Sequence, residues 1–329
     1  MLRVDLPEAV TGDLYGALND LSPSGEDEAL LACLLQATSH LPLALVAALL
    51  RARAAVDAPS TLLVTGMPVD ADLPPTPTQD TGEAVEAAEI SRRTLLLVAV
   101  LLGEPVAYRG EKHGRLVQDV FPVRELESEP ANEGSATGLG FHTELTFSRE
   151  APEQPLHAAC PDFVLLLALR CPPDRVAATV TVEARAACGR LDERHLAALR
   201  EPSFQLRAPH SFTRDGGGRP WSPPVPLLRG SAHAPSLAFD SACGVRALSA
   251  EAAAALDALR TACDDPAIQT RVQLGAGDLL LIDNNRCAHS RSPFPARYDG
   301  HDRWLRRVYV RRSIWQLELA SAASARVLA

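Results

Sequence analysis

Much of what this 329-residue sequence can be follows from what it lacks. No apolar run is long enough to cross a bilayer. The opening Met1-Leu2-Arg3-Val4-Asp5 has no basic stretch leading into an apolar one, so the expectation is a cytoplasmic protein. There is no Gly-x-Gly-x-x-Gly turn and no Walker loop, so a nucleotide phosphate cradle is not expected. There is no Cys-x-x-Cys and no zinc-knuckle spacing. Cys33, Cys160, Cys171, Cys188, Cys243, Cys263 and Cys287 are odd in number and scattered, and read as reduced, mostly buried thiols. Cys287, two residues before a histidine considered below, is expected on that histidine's side as a small core residue. Excess positive charge is also missing. The formal net charge of −9 argues against non-specific binding to nucleic acid or an anionic membrane. Lysine is scarce beside arginine and alanine, a bias of genome more than of function. No internal repeat appears.

What is present is an ordinary globular composition, 47% hydrophobic and 22% charged, with length enough for a sizeable core. Leucines at three- and four-residue spacing predict helices from Glu26 to Val56, capped by Ser24 and divided at Pro42. A short strand over Thr61–Thr65, a loop over Asp70–Gly82 and a helix over 83–103 follow. Residues 1–105 are therefore expected to be mainly helical. From 106 the pattern turns to short strands, with Val106–Tyr108, Leu116–Val120, Asp162–Leu169, Ala178–Val182, Thr270–Leu274, Asp278–Asp283 and Trp304–Val310 as the clearest. Helices are expected over 184–200 and over Ala250–Ala262, the latter capped by Ser249. The irregular stretch from about 207 to 240, with Gly216-Gly217-Gly218, reads as a lid. The expected fold class is mixed α/β, a double-stranded β-helix (jelly-roll) core over 106–315 with flanking helices, in a single domain spanning 1–329.

The chemistry concentrates in two stretches. His142-Thr143-Glu144 puts an imidazole and a carboxylate two residues apart, which on an extended strand means one face. Far downstream, a Gly-Asp turn at Gly277-Asp278 enters an apolar strand, and His289 follows it. Alone, His-x-Glu means little among nine histidines and 41 acids. With His289 as a third ligand it gives two histidines and one carboxylate, the set that holds non-haem iron(II) and leaves the opposite face of the metal open. Arg303, fourteen residues after His289, is a fixed cation suited to a carboxylate of 2-oxoglutarate.

These stretches resemble the clavaminate synthase-like iron(II)/2-oxoglutarate oxygenases, and most of all the branch with asparagine oxygenase and the viomycin-pathway arginine β-hydroxylase. The resemblance is carried by Gly110 to Val120, with Gly114-Arg115-Leu116-Val117-Gln118-Asp119-Val120, by Glu133-Gly134-Ser135, His142-Thr143-Glu144, Pro161-Asp162-Phe163 with Arg170, and Gly277 to Arg307, including Arg291-Ser292-Pro293-Phe294 and Asp299-Gly300-His301-Asp302-Arg303-Trp304. Glutamate as the second ligand is a trait of that branch. The resemblance implies that His142, Glu144 and His289 bind Fe(II), and that Arg303, assisted by Thr179, holds the far carboxylate of 2-oxoglutarate. It implies that Arg307 binds a substrate α-carboxylate while Glu144 accepts from the α-amino group. Gln118, Ser135 and Asp240 would line the substrate pocket, although each also reads as an ordinary surface, turn or loop residue. Ala242 stands where arginine hydroxylases carry a second acid, which speaks against arginine as substrate.

The implied reaction is hydroxylation of a free L-amino acid or close derivative, at Cβ or the adjacent carbon, using O2 and 2-oxoglutarate in specialised-metabolite (antibiotic) biosynthesis. The presence of Glu144 favours hydroxylation over halogenation. The enzymatic alternative is an amino acid tethered to a carrier protein, which would leave Arg307 without its partner. A non-catalytic metal- or ligand-binding barrel, or a zinc or nickel cupin, would leave Arg303 unexplained.

Overall fold

The computed structural model describes residues 1–22, 27–79, 88–129, 133–146, 160–208, 219–241, 244–314 and 326–328. The chain begins with strand β1 (Leu2–Asp5) and helices α1 (Glu8–Asn19), α2 (Asp27–Ala37) and α3 (Leu43–Ala54). Pro42 divides α2 from α3, as the sequence predicts, while Ser24 lies outside the described residues. Strand β2 (Thr61–Thr65) and helix α4 (Glu89–Leu102) lead to β3 (Glu104–Tyr108), β4 (Val117–Val120), β5 (Leu139–His142), β6 (Phe163–Arg170) and β7 (Ala178–Glu183). The helix expected over 184–200 is two: α5 (Ala184–Cys188) ends at Gly189, and α6 (Glu193–Arg200) starts anew where the Asp192 carboxylate accepts from the His195 amide at 2.8 Å. Short strands β8 (Phe204–Leu206), β9 (Leu228–Gly230), β10 (Pro235–Leu237) and β11 (Val245–Ala247) precede helix α7 (Ala250–Asp264), whose cap is Ser249 as expected. The chain closes with β12 (Gln269–Gln273), β13 (Leu279–Asp283), β14 (Cys287–Arg291), β15 (Trp304–Arg311) and β16 (Val327–Leu328). Sequence periodicity missed β1, α1 and β16. β1 is held by its parallel pairing with β2, a partner some sixty residues away.

Two sheets carry the architecture. The larger runs β1-β2-β13-β6-β15-β3-β16, with β4 also paired to β15, and the smaller runs β12-β7-β14-β5. The two-residue period of the strands sorts their side chains into three layers. Phe163, Leu165, Leu167 and Leu169 of β6 join Trp304, Val308 and Val310 of β15 against the N-terminal helices and α4. The opposite faces of the same strands, with Val164, Ala168, Leu280, Ile282 and Leu305, meet Leu145, Val272 and Cys287 on the smaller sheet's side. The outward side of the smaller sheet, with Phe141, Val180, Val182 and Ala288, is covered by α5, α6 and α7. Both sheets are thus buried on two faces, which is why β6 reads as a continuous apolar run. Truncating a residue such as Leu167 in such a layer costs about 2–5 kcal/mol. Among the described residues, no helix is long and apolar enough to cross a membrane.

This alternation positions the site. Sending Val180, Ala288 and Phe141 outward turns Thr179, His289 and His142 inward; sending Trp304, Val308 and Val310 toward the helices turns Arg303, Leu305, Arg307 and Tyr309 the other way.

Candidate active site

His142 and His289 face each other across neighbouring strands. They are direct partners in the β5–β14 register, their ring centroids 4.3 Å apart. Glu144 joins them differently from the sequence argument. Strand β5 stops at His142, and Glu144 sits in the turn beyond it, where Leu145 takes a positive φ of 52°. The turn is clamped by Asn284, whose Oδ1 accepts from the Glu144 amide at 2.7 Å and whose Nδ2 donates to the Glu144 carbonyl at 3.1 Å. The result still brings the carboxylate to the imidazoles: Glu144 Oε1 lies 3.9 Å from His142 Nε2 and 3.7 Å from His289 Nε2. These three ligand atoms lie within 4.8 Å of one another, and all three residues are buried.

The hydrogen bonds suit a cation. His142 Nδ1 lies 2.9 Å from the Gly140 carbonyl, which takes its proton and leaves the Nε2 lone pair for a metal. Burial pushes the His289 imidazolium down to about 4, with the neighbouring His142 adding to the effect, so its ring is neutral. Burial also opposes charge on His142, but the Glu144 carboxylate outweighs it and the net shift is upward. Burial would raise Glu144, yet Arg307 and the two histidines hold it well below the usual carboxylate range. An anionic carboxylate between two imidazole nitrogens is a donor set that fits a divalent metal.

Arg303 and Thr179 line the same cavity as the three ligands, with Leu166, Leu305 and Arg291 completing its wall. Arg303 is 5% exposed, and among the described residues it makes no hydrogen bond and no ion pair; the Phe294 ring lies 5.8 Å from its guanidinium carbon. Burial lowers its affinity for a proton. A buried guanidinium left without an anion is costly unless a ligand supplies one. Arg291, to which the sequence assigns no role beyond its place in the matching stretch Arg291–Phe294, is a second buried cation here; burial and Arg303 push it down to about 10. The signal was available, since Arg291 is two residues from His289 on β14.

Arg307 is in the opposite situation. It donates from Nη1 to Glu144 Oε1 at 3.0 Å, from Nη2 to Glu111 Oε1 at 2.5 Å, and from Nε and Nη2 to Gln118 Oε1 at 3.0 and 2.6 Å. Gln118 is its register partner across β4–β15. Of the five guanidinium hydrogens, one on Nη1 has no acceptor among the described residues. Beside this hub, Gln118 Nε2 and Glu111 Oε2 are buried polar atoms with no hydrogen-bond partner among the described residues. Burial raises Glu111, against the pull of Arg307. Glu111 was missed because it lies in a loop with left-handed Lys112 and His113, where no strand period applies. Tyr309, also missed, donates to Glu144 Oε2 at 2.9 Å, and burial pushes its phenol well above its ordinary range.

The other expected residues divide. Asp240 is buried and forms an isolated antiparallel bridge with His142, and its charge helps raise that imidazole. Ser135 is buried but does not line the cavity; its hydroxyl lies 3.3 Å from that of Tyr298. Cys287 is packed in the core and is not part of the cavity wall. The sequence predicts a lid over 207–240. Residues 209–218 and Ala242 lie outside the described residues, but the end nearest the site is fixed backbone: the Thr143 amide donates to the Phe239 carbonyl at 2.6 Å and the Ser241 amide to the Phe141 carbonyl at 3.0 Å. Gly140 allows this approach, because a Cβ there would run into the Ser241 hydroxyl.

A site of this kind, two histidines and a glutamate between two sheets with a buried arginine in the same cavity, has a family to match. Residues 51–309 fit the model of the taurine catabolism dioxygenase TauD, TfdA family, and the chain belongs to that family. Within it, the chain is 38% identical over 250 residues to L-asparagine oxygenase of Streptomyces coelicolor, covering 76% of this chain and 70% of that one. It is 33% identical over 324 residues to clavaminate synthase 2 of Streptomyces clavuligerus, covering 94% and 88%. The structure of asparagine oxygenase in complex with Fe(II), 2S,3S-3-hydroxyasparagine and succinate superposes with a TM-score of 0.87 at 31% identity, covering 100% of this chain and 99% of that one.

Proposed function

We propose that this protein is an Fe(II)/2-oxoglutarate-dependent dioxygenase that hydroxylates a free L-amino acid or close derivative at Cβ or the adjacent carbon. The observation that carries the reading is Arg303: a buried guanidinium without an anion among the described residues, in the cavity that His142, Glu144 and His289 also line. The iron-bound asparagine oxygenase complex, with its hydroxylated amino acid and succinate, supports the same chemistry in a relative of nearly equal length. We read the two facing sheets as a double-stranded β-helix, with residues 1–329 as one oxygenase domain. The free cysteines, six among the described residues, suit a reducing cytoplasm.

His142, Glu144 and His289 would hold the iron. Bound there with 2-oxoglutarate and O2, it supplies the oxidising power that replaces a substrate C–H by C–OH as 2-oxoglutarate becomes succinate and carbon dioxide. The chain's own residues bind and orient. Arg303 pairs with the far carboxylate of 2-oxoglutarate and Thr179 donates its hydroxyl to it. At the other end, the remaining Nη1 hydrogen of Arg307 and the unpaired Gln118 amide meet the substrate α-carboxylate, and Glu111 and Glu144 accept from the α-ammonium. Asp240, beside His142, faces the rest of the substrate. Ligands, Arg303 and Arg307 all being buried, water is kept from the reacting carbon.

The test is mass spectrometry of iron-loaded protein given 2-oxoglutarate, O2 and the pooled proteinogenic amino acids. One amino acid gaining one oxygen, and not with His142→Ala, is the expected result. Succinate without any such product would turn the search to modified or carrier-protein-bound amino acids. Failure to bind either iron or 2-oxoglutarate would overturn the reading.

A further inference from the structure

The two oxygens of Glu144 are engaged unequally. Oε1 is the oxygen that lies 3.9 and 3.7 Å from the two imidazole Nε2 atoms, and it also receives Arg307 Nη1 at 3.0 Å. Oε2 receives the Tyr309 hydroxyl at 2.9 Å. Tyr309 is fully buried, its ring edge-on to that of Tyr108 with centroids 5.7 Å apart, so the hydroxyl is fixed by packing. Arg307 and Tyr309 are two residues apart on β15, which places both donors on the side of the sheet that faces the carboxylate.

We infer that Tyr309 is a positioning residue that keeps Glu144 a one-oxygen ligand. The inference rests on the reading of His142, Glu144 and His289 as the metal ligands. Two imidazoles and one carboxylate oxygen leave three positions of a six-coordinate ion open. Those positions would be for 2-oxoglutarate and O2. A carboxylate turning its second oxygen inward would take one of these. The hydroxyl of Tyr309 opposes that turn, since a hydrogen bond to an ionised carboxylate must be broken for Oε2 to leave. Glu111 Oε1, 3.4 Å from the same hydroxyl, gives it a second acceptor, so Oε2 can pass to a substrate ammonium without stranding the phenol.

The test uses cobalt(II) as the metal and Tyr309→Phe, which keeps the ring and removes only the hydroxyl. Tyr108→Phe, which removes a hydroxyl from the same ring pair, is the control for packing. In Tyr309→Phe the visible bands of bound cobalt(II) should shift as a carboxylate oxygen replaces a water, and 2-oxoglutarate should bind the cobalt protein about tenfold more weakly, the loss of one charge-assisted hydrogen bond. Tyr108→Phe should match the wild type in both. Unchanged bands and unchanged 2-oxoglutarate affinity in Tyr309→Phe would overturn the inference and leave the metal site standing; so would equal changes in Tyr108→Phe. Wild-type protein binding cobalt(II) no better than His142→Ala would overturn the metal site itself, and the inference with it. A second measurement needs no variant. The metal-induced infrared difference spectrum of the wild type should show the wide separation of carboxylate stretching bands given by one-oxygen ligation, and the narrow separation of a two-oxygen ligand would overturn the role assigned to Tyr309.

Discussion

Arg303 and Arg307 stand four residues apart, face the same interior and are both buried, yet their surroundings are opposite. Arg303 has no anion among the described residues. Arg307 has two carboxylates and a glutamine; burial opposes its charge as well, but Tyr309, Glu144 and Glu111 outweigh it and raise its hold on its proton, whereas burial lowers that of Arg303. The difference separates two uses of one side chain. A guanidinium left unpaired in a cavity is a binding site for an anion, maintained at the expense of stability. A guanidinium saturated by the protein is a structural hub, and only what it has left over can meet a ligand.

Substituting methionine for each arginine should break this contrast most visibly. Arg307→Met leaves Glu144 and Glu111 buried together without their cation. The expected loss is about 3–5 kcal/mol of stability, read from denaturant unfolding of the metal-free protein. Arg303→Met removes a buried charge that has no partner, so the metal-free protein should be as stable as the wild type or more so. Its effect should appear in the affinity for 2-oxoglutarate, weaker by roughly 100-fold in titration calorimetry, since one partner of a buried charge pair is gone. Equal destabilisation by both substitutions would mean that Arg303 has a protein partner after all.

The two glutamates of the hub carry the contrast into pH. Burial raises Glu111 above its ordinary 4.5, so the folded protein keeps a proton that the unfolded chain releases. Its contribution is fully present below 4.5 and is lost as pH rises through the raised value. For Glu144, burial acts upward, but Arg307 and the histidines prevail and its value is lowered. Its contribution is present above the ordinary value and is lost as pH falls through the lowered one. Glu111→Gln should therefore flatten the stability curve of the metal-free protein on the neutral side of 4.5 and leave its acid limb unchanged. Melting temperatures measured across the range would check this; parallel curves for variant and wild type would show that Glu111 ionises as freely folded as unfolded.

How much of this was legible in the sequence depended on the period of the backbone. The strand that carries Arg307 and opens just after Arg303 announces itself by Trp304, Leu305, Val308, Tyr309 and Val310, and the two-residue period then puts Arg303 and Arg307 on one face, whereas β14, which carries His289, shows no such pattern. Arg307's relation to Gln118 needed a register between β4 and β15, chains almost two hundred residues apart, which spacing does not specify. The position of Glu144 was reached for a reason the structure amends: the strand ends one residue before Thr143, and Asn284, from another strand's end, sets the turn. Glu111 had no period to read. Tyr309 and Arg291 did have one, each two residues from a residue already named. The helix split at Gly189 was legible too, in Gly189 and the capping Asp192.

Ser135 gives the smallest expected effect and tests the boundary of the site. The resemblance implies a place in the substrate pocket, whereas the structure gives its side chain a neighbour in Tyr298 and its backbone a place in the turn: its amide donates to the Glu127 carbonyl at 3.1 Å and its carbonyl accepts from the Phe294 amide at 3.0 Å. Those backbone bonds survive Ser135→Ala. Only the 3.3 Å contact between two hydroxyls is lost, a weak hydrogen bond between neutral groups, with a stability change within about 1 kcal/mol. Turnover and KM for the amino acid should stay within about twofold of the wild type, since no charged contact to a ligand is removed. A KM raised tenfold at unchanged stability would put the Ser135 hydroxyl on the substrate, and would extend the Arg307 end of the site beyond the Gln118–Glu111 hub to the turn at 135.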